Sequence, residues 1–136
     1  MANDPTPALR LAVLALLETG GGPELAGSPV PVWDGVPPDE VPPPVVILDE
    51  ISLTEGTTKD GGPREAIIDV AAVVDGRSRY EAEQLAADVY ARLDGMVPAV
   101  AGHSVTALRC IESRTETGGE QGLTHLSRQS WRLRIL

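Results

Sequence analysis

Residues 123–136 read LTHLSRQSWRLRIL, and the character of the side chain alternates along this stretch. The two alternating sets are Gln129, Trp131, Leu133 and Ile135, and Arg128, Ser130, Arg132 and Arg134. Successive side chains of a β-strand point to opposite faces of its sheet. The pattern therefore predicts a last strand over Leu123–Ile135, with one face that becomes apolar toward its end and another that presents three arginines.

The arginines of this strand allow two interpretations. Like charges on one strand face repel one another unless carboxylates neutralise them. In the first interpretation the face is solvated and the aliphatic stems of the arginines lie flat on it. In the second, the face is a subunit interface that binds carboxylates of a neighbouring copy, because the guanidinium group pairs with carboxylates through two hydrogen bonds. We favour the second, with these candidate interface residues: Arg114, Arg128, Arg132 and Arg134.

The stretch from Asp75 to Gly95 (DGRSRYEAEQLAADVYARLDG) predicts a turn followed by a helix. Ser78 and Glu81 have the spacing of a capping box, with Ser78 as the N-cap. The helix runs to about Leu93, and Gly95 ends it. One stripe of the helix is apolar and is expected to pack on the sheet: Ala82, Leu85, Ala86, Val89 and Leu93.

The remainder of the chain predicts a second helix and four further strands. The helix begins near Pro7, places Leu9, Val13, Leu16 and Leu17 on one face, and stops at Gly20–Pro23. The predicted strands are Val30–Asp34, Val45–Leu53, Arg64–Val74 and His103–Arg114, with a turn at Thr117–Gly122 before the last strand. The order α-β-β-β-α-β-β indicates an α+β fold with two helices packed on a mostly antiparallel sheet.

Two polar segments interrupt this predicted single domain of residues 1–136. Gly35–Pro44 (GVPPDEVPPP) has five prolines in ten residues, which predicts a stiff, extended connector. Thr54–Pro63 (TEGTTKDGGP) has no apolar residue and predicts the loop of a long hairpin. Its centre is a candidate docking loop: Thr57, Thr58, Lys59 and Asp60.

Composition excludes several classes of protein. The chain has 136 residues and a net charge of −9, which argues against a general nucleic-acid binder because phosphate binding needs a basic surface. Its single cysteine, Cys110, excludes an internal disulfide and a cysteine-based zinc site, and fits a reducing cytoplasm. No apolar run is long enough to cross a membrane.

The charge is unevenly distributed along the chain. Residues 1–76 hold 13 acids and 3 bases, whereas residues 77–136 hold 7 acids and 8 bases. Such an asymmetry suits a subunit that meets copies of itself through an acidic side and a basic side. It is equally compatible with ordinary variation along a solvated surface.

No arrangement of residues indicates catalysis. His103 and His125 stand alone on different predicted strands, and Cys110 shares a strand face with Leu108, as a small hydrophobic residue would. Asp49 and Glu50 are adjacent in a predicted strand, so they point to opposite faces and cannot act as an acid–base couple. A small hydrolase that uses His103 or His125 remains the alternative from a different class.

Three segments together resemble the tail-terminator (tail-completion) proteins of long-tailed phages and gene transfer agents. The first is VWDGVPPDEVPPPVVIL, from Val32 to Leu48, and the second is the capped helix region from Asp75 to Gly95. The third is Ser113–Leu136, which ends in an aromatic-Arg-x-Arg sequence. With the opening helix, these segments cover nearly the whole chain in the order that the family shows.

The resemblance implies a non-enzymatic virion protein that needs no cofactor. It implies a hexameric ring that caps the head-proximal end of the tail tube, stops tube polymerisation and provides the surface on which the head connector docks. The implied partners are other copies of the chain, the major tail tube protein and the head–tail connector, while DNA passes through the ring without specific binding. Assembly would take place in the bacterial host cytoplasm. Another neck adaptor or a tube subunit of the same particle is the nearest alternative.

Overall fold

Two helices lie on one face of a five-stranded sheet in the computed structural model, which describes residues 4–35, 43–54, 64–76, 78–118 and 124–136. The candidate docking residues Thr57–Asp60 and most of the proline-rich connector lie outside these ranges. The elements in chain order are α1 (Thr6–Leu17), a 3-10 helix (Thr19–Gly21), β1 (Glu24–Leu25), β2 (Ser28–Pro29), β3 (Val32–Asp34), β4 (Val45–Thr54), β5 (Arg64–Asp75), α2 (Arg79–Leu93), β6 (Arg109–Gly118) and β7 (Thr124–Ile135).

The sheet has the strand order β3-β4-β5-β7-β6. The pairs β4–β5, β5–β7 and β6–β7 are antiparallel, and β3 runs parallel to β4. β1 and β2 form a separate small hairpin beside α2. The predicted α+β architecture, with two helices on a mostly antiparallel sheet, is confirmed.

The core lies between the helices and one face of the sheet. α2 packs on β5, β6 and β7, while α1 packs on β3, β4 and α2. The predicted alternation of the last strand is confirmed, because Trp131, Leu133 and Ile135 are buried on the helix side and Arg132 and Arg134 are exposed. We call the side of the sheet that points away from the helices its outer face.

Both helices present the faces that their sequences predict. In α1, Leu9, Val13 and Leu17 are fully buried, whereas Leu16 of the predicted face is only half-buried, at the margin of the core. The Ser78 hydroxyl accepts a hydrogen bond from the Tyr80 amide at 3.0 Å, which confirms Ser78 as the N-cap of α2. The contribution of Glu81 to the capping box stays a prediction. All five residues of the predicted apolar stripe of α2 are buried.

The structure corrects the bounds of the predicted strand His103–Arg114, which corresponds to β6 and begins at Arg109 rather than at His103. The preceding segment makes only an isolated bridge to β7, at Val105. Its end bonds instead to the segment after α2: the Gly95 amide donates to the Leu108 carbonyl at 3.0 Å, and the Leu108 amide donates to the Met96 carbonyl at 2.8 Å. Gly95 and Gly102 have positive φ angles of 74° and 80°, which turn the chain away from an extended path. At its other end β6 continues to Gly118, beyond the predicted start of the turn at Thr117.

A bulge in β4 lies where Asp34 and Gly35, of the Trp-Asp-Gly sequence, meet this strand and α1. The register shifts between Leu48 and Ile51, which interrupts the ladder with β5. Arg10 of α1 donates to the Asp49 carbonyl at 3.0 Å, and it forms an ion pair with Asp34 of β3. The next residue, Gly35, has a φ of 91° and donates its amide to the Leu48 carbonyl at 2.9 Å. Asp34 therefore fastens α1 to the edge of the sheet, and Gly35 fastens β3 to β4 beside the bulge.

Candidate subunit interface on the outer face of the sheet

The outer face carries two arginine pairs, each formed by residues directly opposite one another on β6 and β7. Arg114 lies opposite Arg128, and Arg109 lies opposite Arg132. Arg134 follows two residues after Arg132 on the same side of β7. The structure thus brings together all four arginines that the sequence predicted for an interface, and it adds Arg109.

The Arg114–Arg128 pair is neutralised by carboxylates of its own chain. Arg128 Nη1 lies 3.4 Å from Asp49 Oδ2, and Arg114 Nε lies 2.8 Å from Glu116 Oε1. Nearby, the Ser130 hydroxyl donates to Asp69 Oδ1 at 2.7 Å. Arg114, Arg128, Ser130, Asp69 and Glu112 line a concavity of about 270 Å³ that carries charges of both signs. Part of the charge asymmetry along the sequence is therefore compensated within one subunit, since Asp49 and Asp69 come from its acidic half.

The second pair lines a concavity whose charged side chains are all arginines. Arg109, Arg132 and Arg134 line a concavity of about 310 Å³ together with Thr106, Ala107 and Leu133. Within the described part of the chain, none of these three arginines has a carboxylate within 4.0 Å. Glu65 of β5 lies opposite Arg134 in the register without forming an ion pair with it. We call Arg109, Arg132, Arg134 and Thr106 the arginine pocket.

Sequence reasoning missed Arg109 because a second bulge changes the phase of β6. The register with β7 shifts between Cys110 and Glu112, and Ile111 is the extra residue. Without the shift, strict alternation from Glu112 and Arg114 would place Cys110 on the outer face and Arg109 on the helix side. With it, Arg109 joins the outer face. An extra exposed apolar residue in an otherwise charged strand, here Ile111 at 47% exposure, is the one signal that was available.

His125 has a structural environment. It is buried, with Nε2 2.7 Å from the Gly76 carbonyl oxygen and Nδ1 3.0 Å from the Thr117 hydroxyl. Because the carbonyl can only accept, Nε2 donates, and in the neutral ring Nδ1 accepts from Thr117. The same hydroxyl accepts from Arg79 Nε at 2.7 Å. The ring thus ties the turn after β5 to β6 and to the start of α2, with both nitrogens used.

The other candidates for chemistry lie in environments that do not activate them. Burial raises the pKa of the Cys110 thiol above its ordinary value, and the charge of Asp94 acts in the same direction, so the reactive thiolate is disfavoured. His103 is half-buried in the irregular segment before β6, whereas His125 lies in β7. In the described ranges no three His, Cys, Asp or Glu side chains converge as a metal site. No helix of those ranges is long and apolar enough to span a membrane.

Comparison with known families decides the class of this protein. The family model described as "Tail completion protein gp17" matches residues 12–133, which is most of the chain and includes both arginine pairs. The chain belongs to this family. The tail completion protein is therefore a structural component of a virion tail, as the sequence resemblance indicated.

A solved structure supports the fold of this tail completion protein independently. A chain in the "Virion of native gene transfer agent (GTA) particle" superposes with a TM-score of 0.80 at 18% sequence identity, covering 98% of both chains. At this identity the likeness shows a shared fold. No curated protein matches the sequence.

Proposed function

We propose that this tail completion protein forms a closed ring at the head-proximal end of the tail tube, ends tube polymerisation and joins the tail to the head connector. The family match over residues 12–133 is the observation that carries this proposal. The resemblance described above implies six copies in the ring. A ring needs contacts between two different surfaces of the same subunit. A two-layer fold with a helix side and an arginine-bearing outer face supplies two such surfaces.

The subunit contact involves the outer face that bears Arg114, Arg128, Arg132 and Arg134. Arginine fits this role because its planar group binds a carboxylate through two parallel hydrogen bonds. Exposed surface ion pairs add only about 0–1 kcal/mol each within a subunit. We therefore expect these arginines to contribute more to the subunit contact, where a neighbouring copy supplies carboxylates and excludes water, than to the stability of one subunit.

The ring acts by binding alone, without a cofactor or a catalysed reaction. Its partners are the major tail tube protein on one side and the head–tail connector on the other. DNA passes through it without specific binding, because a chain with a net charge of −9 repels phosphate. The structural bonds of His125 and the unactivated Cys110 support this proposal over a hydrolase.

Electron microscopy of the purified protein, alone and added to polymerising tube protein, tests the proposed ring. We expect closed rings that do not stack, and tubes that stop growing once a ring occupies one end. Tails assembled without the protein should be variable in length and should lack heads. Open-ended stacks of this protein would identify a tube subunit instead, and rings that bind only the connector would identify a neck adaptor.

The docking loop predicted from the sequence gives a second test. Deleting Thr57–Asp60 should leave the free energy of unfolding within about 0.5 kcal/mol of the wild type, since loop-closure entropy depends weakly on length. The same deletion should impair attachment to the tube or to the connector. Measurements of urea denaturation and of the yield of completed particles check the two expectations.

The chain offers a specific probe for this loop, because Lys59 is its only lysine. A carbodiimide reagent should cross-link the Lys59 amine directly to a carboxylate of the tube or connector protein in assembled tails. Lys59→Arg keeps the charge and should abolish that cross-link, so it is the matched control. Normal particle yields from the deletion variant, with no Lys59 cross-link in the wild type, would show that the loop does not dock.

A further inference from the structure

We propose that the arginine pocket, rather than the Arg114–Arg128 pair, is the cationic half of the subunit contact, and that its occupant is a carboxylate from the helix side of a second copy. The inference rests on the proposed ring and specifies which residues hold it together. It moves the contact to one end of the outer face and adds Arg109 to it.

The two arginine pairs have the same position relative to β6 and β7 but differ in whether carboxylates of the same chain neutralise them. Each pair joins β6 to β7, each brings two like charges directly opposite one another, and such an arrangement destabilises an isolated sheet. Asp49 and Glu116 relieve the repulsion at Arg128 and Arg114. At Arg109 and Arg132 no described carboxylate does so, although acids outnumber bases by nine in the whole chain. That no described carboxylate neutralises this pair, in a protein with an excess of acids, favours a neutralising group supplied by a second copy.

The pocket is built on fixed backbone. The Arg134 amide donates to the Thr106 hydroxyl at 2.8 Å, and the Thr106 amide donates to the Arg134 carbonyl at 2.9 Å. Leu133, which is 1% exposed, anchors the same stretch of β7 in the core. The three guanidinium groups therefore project from a rigid rim around a concavity of about 310 Å³, a space that suits a carboxylate side chain. Little backbone order has to be gained when it binds.

The helix side of a second copy has the complementary charge. The three arginines among its described residues have partners: Arg10 binds Asp34, Arg79 binds Thr117, and Arg92 binds Asp88 and backbone carbonyls. That layer also presents exposed carboxylates in α2, at the C-caps of α1 and α2, and in β1: Glu81, Glu83, Glu18, Asp94 and Glu24. Because these acids lie on the opposite side of the sheet from the pocket, their pairing joins two different surfaces, as a closed ring requires.

Two double variants with equal charge change separate the pairs. Arg109→Gln/Arg132→Gln should raise the dissociation constant of each subunit contact about tenfold or more, since a tenfold change corresponds to the loss of one good charge-assisted contact. Native mass spectrometry measures this as a fall in the fraction of ring at a fixed protein concentration. The melting temperature of the monomer should stay the same or rise, because a repulsion is removed. Arg114→Gln/Arg128→Gln should keep the ring and lower the melting temperature, because Asp49 and Glu116 lose their cations.

A cross-link can identify the occupant. In an Arg132→Lys/Lys59→Arg variant the new lysine is the only one, so carbodiimide should join it to a helix-side carboxylate of another subunit. The matched Arg128→Lys/Lys59→Arg variant should cross-link within one subunit, to Asp49. A cross-link from residue 132 confined to its own chain would contradict the proposal.

The outcomes also separate this inference from the proposed function. Full ring formation by Arg109→Gln/Arg132→Gln would overturn the pocket and leave the ring standing, as would equal losses in both double variants. A wild type that forms no ring, even with tube protein present, would overturn both. If the same variant forms rings but loses binding to a fluorescent duplex DNA that the wild type binds, the occupant is phosphate rather than a second copy.

Discussion

Trp131→Ala is expected to lower the free energy of unfolding by about 4 kcal/mol, the largest stability loss available from a single truncation in this chain. Trp131 is fully buried, and the centroid of its ring lies 5.3 Å from that of Tyr90 in α2. Its Nε1 donates to Gln129 Oε1 at 3.1 Å, and Gln129 Nε2 donates to the Ala86 carbonyl at 2.9 Å. Truncation therefore leaves a cavity under α2 and removes one member of a buried polar chain.

Urea denaturation followed by circular dichroism measures this loss, and Trp33 supplies the control. Trp33 lies in the short edge strand β3 and is only half-buried, so Trp33→Ala should cost markedly less. Trp131→Phe should fall between the two, since it retains most of the packing but leaves Gln129 Oε1 without its donor. Equal midpoints for Trp131→Ala and Trp33→Ala would contradict the assigned core.

Most of the fold could be predicted from local patterns in the sequence. The alternation around Trp131 and the N-cap at Ser78 each depend on residues that are close in the chain, and each is confirmed. The boundary of β6 failed for a physical reason. His103–Leu108 is rich enough in β-branched and apolar residues to predict a strand, yet it makes only an isolated bridge to β7 at Val105, Leu108 bonds to Met96 and Gly95, and glycines with positive φ bend the chain. Such long-range competition for backbone groups has no local signal.

The same distinction applies to the candidate interface. The arginine face of β7 could be predicted because alternation is a local property. Its division into a neutralised pair and an unneutralised pocket could not, because Asp49 lies 79 residues from Arg128 and a bulge decides the phase of Arg109. Charge totals for each half of the sequence suggested an acidic and a basic surface. The structure instead mixes both signs on the outer face and places, at one end of it, a concavity whose charged lining residues are all arginines.

Arg92→Met should lower the free energy of unfolding by about 2–3 kcal/mol, because Arg92 donates to backbone carbonyl groups at the end of α1 and in the 3-10 helix that follows it. Its Nη2 donates to the Gly22 carbonyl at 2.6 Å, and Nη1 donates to the carbonyl of Thr19. Asp88 holds the guanidinium at 3.4 Å and also accepts the Glu24 amide at 2.7 Å. One charged pair on α2 thus fastens the end of α1 and the start of β1.

Hydrogen exchange localises the effect of Arg92→Met more sharply than a melting curve does. Amides in the last turn of α1 and in the β1–β2 hairpin should exchange faster at a denaturant concentration where α2 and β5 remain protected. Arg79→Met is the matched control, because Arg79 lies on the same helix, is exposed and donates one hydrogen bond from Nε to the Thr117 hydroxyl. If the two variants lost the same stability, or if α1 stayed protected without Arg92, the helix end would be held by apolar packing of Leu17 and Leu93 rather than by this arginine.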